Sequence, residues 1–343
     1  MRIQQMNAEK FDLVLLNEYL ERHVEGFNAL KYLEKFAGGQ SNPTYLIEAD
    51  SGKYVLRKKP PGELLKSAHA VDREYKVISA LGDYGFEVPK AFHLSGDDSP
   101  LGTMFYVMSF EEGNIFWDPK LPGLEKKERA FIYQQMAKTL AKLHSVDIDA
   151  AGLSDYGRPG NYFERQLSRW SRQYRASQTN GNEAMETLIH WLEKNIPEDD
   201  GKVTLIHGDY RLDNLIIEPN NMTIRAILDW ELSTLGHPYS DIAYQCMQLR
   251  MSQSSVLKGL AEVDRESLGI PSEDDYLKMY CKEAGIDEIQ NWSFYLAFSF
   301  FRFSAILQGV YERSLDGNAV SEKALEYGKL SPVLVDMALK LIK

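Results

Sequence analysis

The residues best suited by type and spacing to do chemistry lie within 204–229, TLIHGDYRLDNLIIEPNNMTIRAILD. A short apolar run ends abruptly in His207, Gly208 and Asp209, and Asn214 stands five positions beyond Asp209. A second apolar run, 215–217, turns through Pro219, Asn220 and Asn221 into a third, 224–228, which delivers Asp229. Apolar runs bounded by Pro and Asn read as strands joined by a hairpin. Such a hairpin folds Asp229 back towards Asn214, so two oxygen ligands can share one hard cation with Asp209 nearby. That arrangement suits phosphoryl transfer, in which two oxygens hold Mg²⁺ on a nucleotide and one carboxylate orients the attacking hydroxyl.

The ordered set, H-x-D-x-x-x-x-N followed by a hairpin and an Asp, resembles the catalytic core of the aminoglycoside phosphotransferase and choline kinase superfamily, the small-molecule relatives of protein kinases. The resemblance implies that Asp209 is the catalytic carboxylate and that Arg211 stands where kinases carry a Lys near the transferred phosphate. It makes Asn214 and Asp229 the metal ligands and His207 a brace for the loop. ATP and Mg²⁺ are the cofactors it implies. More narrowly, HGDYRLDNLI and ILDWELSTLGHPYSDIAY resemble the kinase-like domains found with acyl-CoA dehydrogenases, and the likeness runs along most of the chain.

Elements on both sides must position these groups. Residues 45–48 and 53–57 read as two strands joined by a turn at Asp50, Ser51 and Gly52. Val55 and Arg57 alternate onto one strand face. The resemblance puts Arg57 where a Lys holds the α and β phosphates, a real departure because Arg is a planar fork and Lys a point charge. The plainer alternative is a solvated strand charge beside Lys58 and Lys59. Val71, Tyr75, Ile78 and Leu81 recur at helical intervals and predict a helix ending at Gly82. On it, Glu74 matches the helix Glu that pairs with the strand cation, the alternative being a surface pair with Arg73 or Lys76. Gly39 and Ser41 precede the first strand and could bring backbone N–H groups to nucleotide phosphates. No Walker loop or full G-x-G-x-x-G is present, and an ordinary turn is the alternative.

The apolar strand 102–110 runs into Glu111 and resembles the connector between kinase lobes, where backbone groups of Ser109 and Glu111 would meet the adenine edge. A plain core strand explains it nearly as well. Asn7 can cap a first helix carrying Leu13, Leu16, Leu20 and Val24. From the amphipathic helix at 125–146 onwards, helices dominate. The expectation is an α+β, two-lobed protein-kinase-like fold. Residues 1–110 form a smaller β-rich nucleotide-binding lobe, and 111–343 a larger, mostly helical catalytic and substrate-binding lobe.

The 343 residues suffice for a sizeable core, and a net charge of −11 argues against nucleic acid as partner. Cys246 and Cys281 are too few for a disulfide framework or a Cys-based zinc site, and the histidines lack H-E-x-x-H spacing. The start shows no secretory signal pattern. The most apolar segment, 292–310, contains Arg302, Gln308 and several Ser, and reads as a buried helix rather than a membrane span. A soluble, cytoplasmic protein is expected.

Only twelve positions separate Asp229 from Asp241, too short a segment to carry a phosphorylation switch and dock a peptide. Gly208 replaces the Arg that would read such a phosphate, and D-W-E replaces D-F-G. Asp241 matches a residue that braces the catalytic loop, and an Asp at a helix N-terminus is the plainer reading. If 161–177 is helical, Arg165, Arg169, Arg172 and Arg175 form one basic stripe, with Phe163, Leu167, Trp170 and Tyr174 opposite. The stripe suggests an anionic substrate, and a solvated face is the alternative. The Phe-rich run 298–307 could line an acyl pocket or fill the core. The resemblance then implies an acceptor of the hydroxyacyl-CoA class, 4-hydroxyacyl in particular, and a functional link to an acyl-CoA dehydrogenase. The competing readings are an aminoglycoside or choline-like kinase, and a nucleotide-binding pseudokinase that senses or scaffolds.

Overall fold

A computed structural model describes residues 4–6, 11–36, 42–60, 70–177, 181–253, 258–315 and 324–343. In the first lobe a six-stranded sheet carries two helices. In chain order the elements are Gln4–Met6 (β1), Leu13–His23 (α1), Leu30–Lys35 (β2), Thr44–Ala49 (β3), Gly52–Lys58 (β4), Val71–Tyr84 (α2), Ala91–Leu94 (β5) and Phe105–Ser109 (β6). The sheet order is β1-β2-β3-β4-β6-β5, antiparallel except where β1 meets β2.

The twofold alternation of β4 explains how the helices sit. Tyr54 and Leu56 join Leu16 and Leu20 of α1 in one apolar cluster. Val55 points the other way, into the cluster with Val77, Ile78 and Leu81 of α2. Arg57 shares the Val55 face and so is aimed at α2 and the second lobe. Each Leu or Ile fully buried in this way contributes about 1.5–3 kcal/mol.

Two boundaries differ from the sequence reading. The described cap of α1 is Asp12, whose carboxylate accepts from the N–H groups of Val14 and Leu15 at 3.0 and 3.1 Å; Asn7 lies outside the described residues. Helix α2 runs past Gly82 and stops at Gly85, which adopts φ +82° and lets the Phe86 N–H return to the Leu81 carbonyl at 2.9 Å. Gly85, not Gly82, supplies the left-handed turn that ends a helix.

The second lobe contains Lys126–His144 (α3), Tyr162–Ser177 (α4), Glu183–Lys194 (α5), Thr204–Ile206 (β7), Leu215–Ile217 (β8), Ile224–Ile227 (β9), Thr234–Gly236 (β10), Tyr239–Leu249 (α6), Arg265–Leu268 (α7), Glu273–Ala284 (α8), Trp292–Leu315 (α9) and Ala324–Leu341 (α10). Two small antiparallel ladders, β7–β10 and β8–β9, carry the catalytic motif. The architecture is the two-lobed kinase-like one. Helix α9 is long and apolar enough to cross a membrane, yet 72% of its most apolar window is buried inside the protein. Phe298, Phe300, Phe301, Phe303 and Leu307 are all core residues. Of the two uses the sequence leaves open for this Phe-rich run, the structure shows core packing.

The lobes are tied at the connector. Asn114 and Ile217 exchange backbone hydrogen bonds at 2.8 and 2.9 Å. The Arg73 guanidinium of α2 stacks 4.3 Å from the Tyr156 ring and donates to the Tyr156 carbonyl at 2.8 Å. At Gly113 a Cβ would lie 2.5 Å from the Ile216 side chain and 2.8 Å from the Ile217 carbonyl. Gly113→Ala is expected to lower the unfolding free energy by about 1–3 kcal/mol in urea titration. An unchanged midpoint would mean that the connector yields without strain.

Candidate active site

Strand β7 ends in a buried histidine. Nδ1 of His207 accepts from the Asp209 N–H at 3.2 Å, which leaves Nε2–H to donate to the Leu228 carbonyl at 2.9 Å. One neutral imidazole thus fastens the loop before Asp209 to the strand end before Asp229. Asp241, at the start of α6 and fully buried, accepts from the N–H groups of His207 and Gly208 at 2.6 and 2.8 Å, with His144 Nε2 at 3.4 Å. Burial pushes the Asp241 carboxyl up, but the hydrogen bonds it accepts from the His144 ring and the His207 backbone N–H help to outweigh it and leave it below its ordinary value. Gly208 has φ +83°, and a Cβ there would lie 2.5 Å from the Leu232 carbonyl. The glycine in the place of a kinase Arg is thus required twice over, by conformation and by space.

Asn214, at the end of a 3-10 turn, donates from Nδ2 to the Asp209 carbonyl at 2.9 Å and to its carboxylate at 3.1 Å. With the nitrogen so engaged, Asn214 Oδ1 faces away from Asp209. Asp229 adopts φ +64°, a conformation Asp tolerates better than most residues. The Leu228 N–H donates to the Asn214 carbonyl at 2.8 Å, so the hairpin brings Asn214 and Asp229 together as the sequence spacing implied. Burial raises the Asp209 carboxyl above its ordinary value, Arg211 pulls it down and Asp229 pushes it up. Arg211 is turned mainly towards Asp213, where Nε donates at 2.8 Å and Nη2 makes a second contact, and its Nε stands 3.9 Å from Asp209.

Across the cleft, Arg57 meets Glu74, Nε to Oε2 at 3.0 Å, with the N–H aimed off the line of a hydrogen bond. Its Nη2 donates to Asp229 at 2.7 Å and reaches Glu231 at 3.5 Å. Glu231, read in the sequence only as a lost glycine, is therefore a third carboxylate around one guanidinium. Burial works against the Arg57 charge, and the three carboxylates outweigh it, so its pKa lies above the ordinary arginine value. Burial pushes the Glu74 carboxyl up to about 7, and a guanidinium shared with Asp229 and Glu231 does not bring it back.

At the connector, Ser109 Oγ donates to Glu111 at 2.5 Å and accepts from the Lys90 N–H at 2.8 Å. The Ser109 N–H is spent on the Lys90 carbonyl at 2.9 Å, whereas no hydrogen bond among the described residues engages the Glu111 backbone. Gly39 and Ser41 lie outside the described residues. The basic stripe does lie on α4, but its members differ. Arg165 donates to the carbonyls of Arg158 and Pro159 at 2.5 and 3.2 Å, Arg172 to Ser168 at 3.1 Å, and Arg175 is neutralised by Glu186 at 2.6 Å. Arg169 leans towards the Trp170 ring at 5.2 Å. Sequence reasoning missed His144 and Arg302; the latter is buried on α9 and donates to the Gly208 carbonyl at 2.9 Å.

Folding raises the Glu74 pKa, so the stability tied to its neutral carboxyl is full below about pH 4.5 and is lost as pH climbs through about 7. Relative to wild type, Glu74→Gln is expected to gain stability steadily as pH rises from 5 to 8 in urea unfolding. A difference constant with pH would show that Glu74 does not titrate in this range.

A model of the phosphotransferase enzyme family matches residues 33–276. The chain is 48% identical over 307 residues to mouse acyl-CoA dehydrogenase family member 10, covering 89% of this chain and 29% of that protein. It spans less than half the length of the curated relatives it matches. A Ralstonia eutropha crystal structure, provisionally assigned as an aminoglycoside phosphotransferase, superposes with TM-score 0.87 at 42% identity, covering 97% of this chain and 98% of that one. Spectinomycin phosphotransferase, solved with ADP and spectinomycin, shares the fold at TM-score 0.62 and 16% identity, covering 95% and 97%. Sequence and structure agree over most of their length, and the chain belongs to the phosphotransferase enzyme family.

Proposed function

We propose that the chain is an ATP- and Mg²⁺-dependent phosphotransferase acting on a small-molecule hydroxyl, with a 4-hydroxyacyl-CoA as acceptor. The observation that carries this reading is the convergence of Asp209, Asn214 and Asp229, with the Asn214 amide nitrogen turned to Asp209 and its oxygen left for a cation. Mg²⁺ needs few protein ligands, since nucleotide phosphates and water complete its shell. Asn214 Oδ1 and the Asp229 carboxylate fit that demand, and the ion bound there would neutralise charge on the phosphates.

In this reading 1–110 holds the nucleotide and 111–343 supplies catalysis and the acceptor site. Arg57, positioned by Glu74, grips the phosphates, and the Glu111 backbone meets the adenine. Asp209 takes the proton of the acceptor hydroxyl as its oxygen attacks the γ-phosphorus, and the bond to the bridging oxygen of ADP breaks. A carboxyl raised by burial suits a group that accepts a proton and releases it again. Arg211 is placed to face the transferred phosphate once it leaves Asp213. His207 and Asp241 support the loop without touching substrate. Half-buried Trp170 and partly exposed Leu232 offer apolar surface on the acceptor side. Arg165, Arg169 and Arg172 supply cations for an anionic acceptor.

The acceptor class is supported by the relative named an acyl-CoA dehydrogenase family member. The chemistry is coherent, because a phosphate ester turns hydroxide into a group that a later step can eliminate, and this is the proposed link to an acyl-CoA dehydrogenase. Asp209→Asn is expected to lower turnover by about 10²–10⁴-fold while nucleotide affinity stays near normal. Asp229→Ala should weaken both. An acceptor panel of 4-hydroxyacyl-CoA, kanamycin and choline with ATP and Mg²⁺, read by mass spectrometry, tests the substrate. Phosphorylated kanamycin beside untouched acyl-CoA would overturn the assignment.

A further inference from the structure

The seam between α4 and α9 holds a charge arrangement that no carboxylate among the described residues balances. Arg302 is 5% exposed, and its Nη2 donates to the carbonyl of Gly208, the residue before Asp209, at 2.9 Å. Its guanidinium lies 6.0 Å from the Trp170 ring and 5.4 Å from the Tyr244 ring. Arg169 lies 5.2 Å from the same Trp170 ring. Two guanidiniums therefore share one indole, and among the described residues no carboxylate is paired with either within 4.0 Å. Burial and the Arg302 charge both depress the Arg169 pKa. Like charges so placed are costly unless an anion or strong dipole joins them. Arg175, six positions beyond Arg169 on α4, has such a partner in Glu186; among the described residues these two do not.

The seam leads to the chemistry. The Arg302 guanidinium that faces the Tyr244 ring also holds the carbonyl of the residue before Asp209, so the seam adjoins the loop that presents Asp209. A group bonded to both guanidiniums would thus lie only a few bonds from a hydroxyl seated at Asp209. We propose that Arg302 and Arg169 form an acyl-oxygen subsite that holds the carbonyl or carboxylate oxygen of the acceptor and thereby fixes which hydroxyl reaches Asp209. The inference rests on the phosphotransferase reading and deepens it by assigning the acyl end of the substrate to named donors. Arg165 and Arg172, farther out on α4, are left for more distant anions.

Three probes share one hydroxyl environment: 4-hydroxypentanoate, its coenzyme A thioester, and pentan-2-ol, which has no acyl oxygen. In Arg169→Gln, kcat/KM for the acid and the thioester is expected to fall about 10–100-fold, with the KM for ATP unchanged and a much smaller loss on pentan-2-ol. Arg302→Gln also releases the Gly208 carbonyl, so it is expected to lose turnover on all three probes and a further factor on the two acyl ones. A larger loss on the acid than on the thioester marks a carboxylate as the favoured source, and the reverse order marks the thioester carbonyl. Equal losses on all three probes in Arg169→Gln, or a change confined to the KM for ATP, overturn the subsite. Fluorescence titration of the wild type with the two acyl probes, against Trp170→Phe, reads binding without turnover. Binding that depends on both arginines but yields no phosphoester would sink the phosphotransferase reading and leave the subsite standing. Phosphorylation of the thioester that survives both substitutions would do the opposite. Arg169 is exposed, so Arg169→Gln carries the test if Arg302→Gln fails to fold.

Discussion

Two adjacent backbone N–H groups, those of His207 and Gly208, point into the protein and end on the carboxylate of Asp241. An ionised carboxylate with no exposure is costly to bury unless its lone pairs are filled, and here the catalytic loop fills them. The dependence runs both ways, because the loop has no other acceptor for those groups. From the opposite side Arg302 takes the Gly208 carbonyl. Gly208 is therefore gripped at its N–H by an anion and at its C=O by a cation, and Asp209 is presented from a residue fixed at both ends. Removing either grip leaves a buried backbone group of Gly208 unpaired, a loss of about 1–3 kcal/mol.

Much of the site was legible because its information is local. H-x-D-x-x-x-x-N places Asp209 and Asn214 across one tight turn, and the twofold period of β4 fixes the face of Arg57 whatever the rest of the chain does. The meeting of Arg57 and Glu74 needed only a strand face, a helix face and the kinase resemblance. What escaped depends on residues distant in sequence. In the sequence, Arg302 counts only against a membrane span at 292–310. The stronger signal was that a cation amid Phe298, Phe300, Phe301 and Phe303 must have a partner somewhere. Glu231 was read as the loss of a glycine, because no sequence pattern says that Arg57 would reach over to it. Gly82 and Gly85 are equally plausible helix stops on paper, and only the left-handed turn at Gly85 separates them.

Net charge also needs to be read locally. The chain carries −11 overall, yet the seam of α4 and α9 gathers guanidiniums without carboxylates, while the opposite wall of the cleft gathers three carboxylates around Arg57. The two walls have opposite needs. One is short of an anion and the other short of a cation, and in the proposed reading an acyl-bearing acceptor and a metal-bound nucleotide would meet the two needs separately.

The stretch after Asp229 is pinned along its whole length. Trp230 is buried and its indole N–H donates to the Ile227 carbonyl at 3.0 Å, Ser233 bonds back to Trp230, and Thr234–Gly236 pairs with Thr204–Ile206. Kinases that are turned on and off order a loose segment at this point. Here there is no loose state for a covalent mark to tighten. Packing and backbone pairing alone give this segment the order that a switched kinase obtains from a covalent mark.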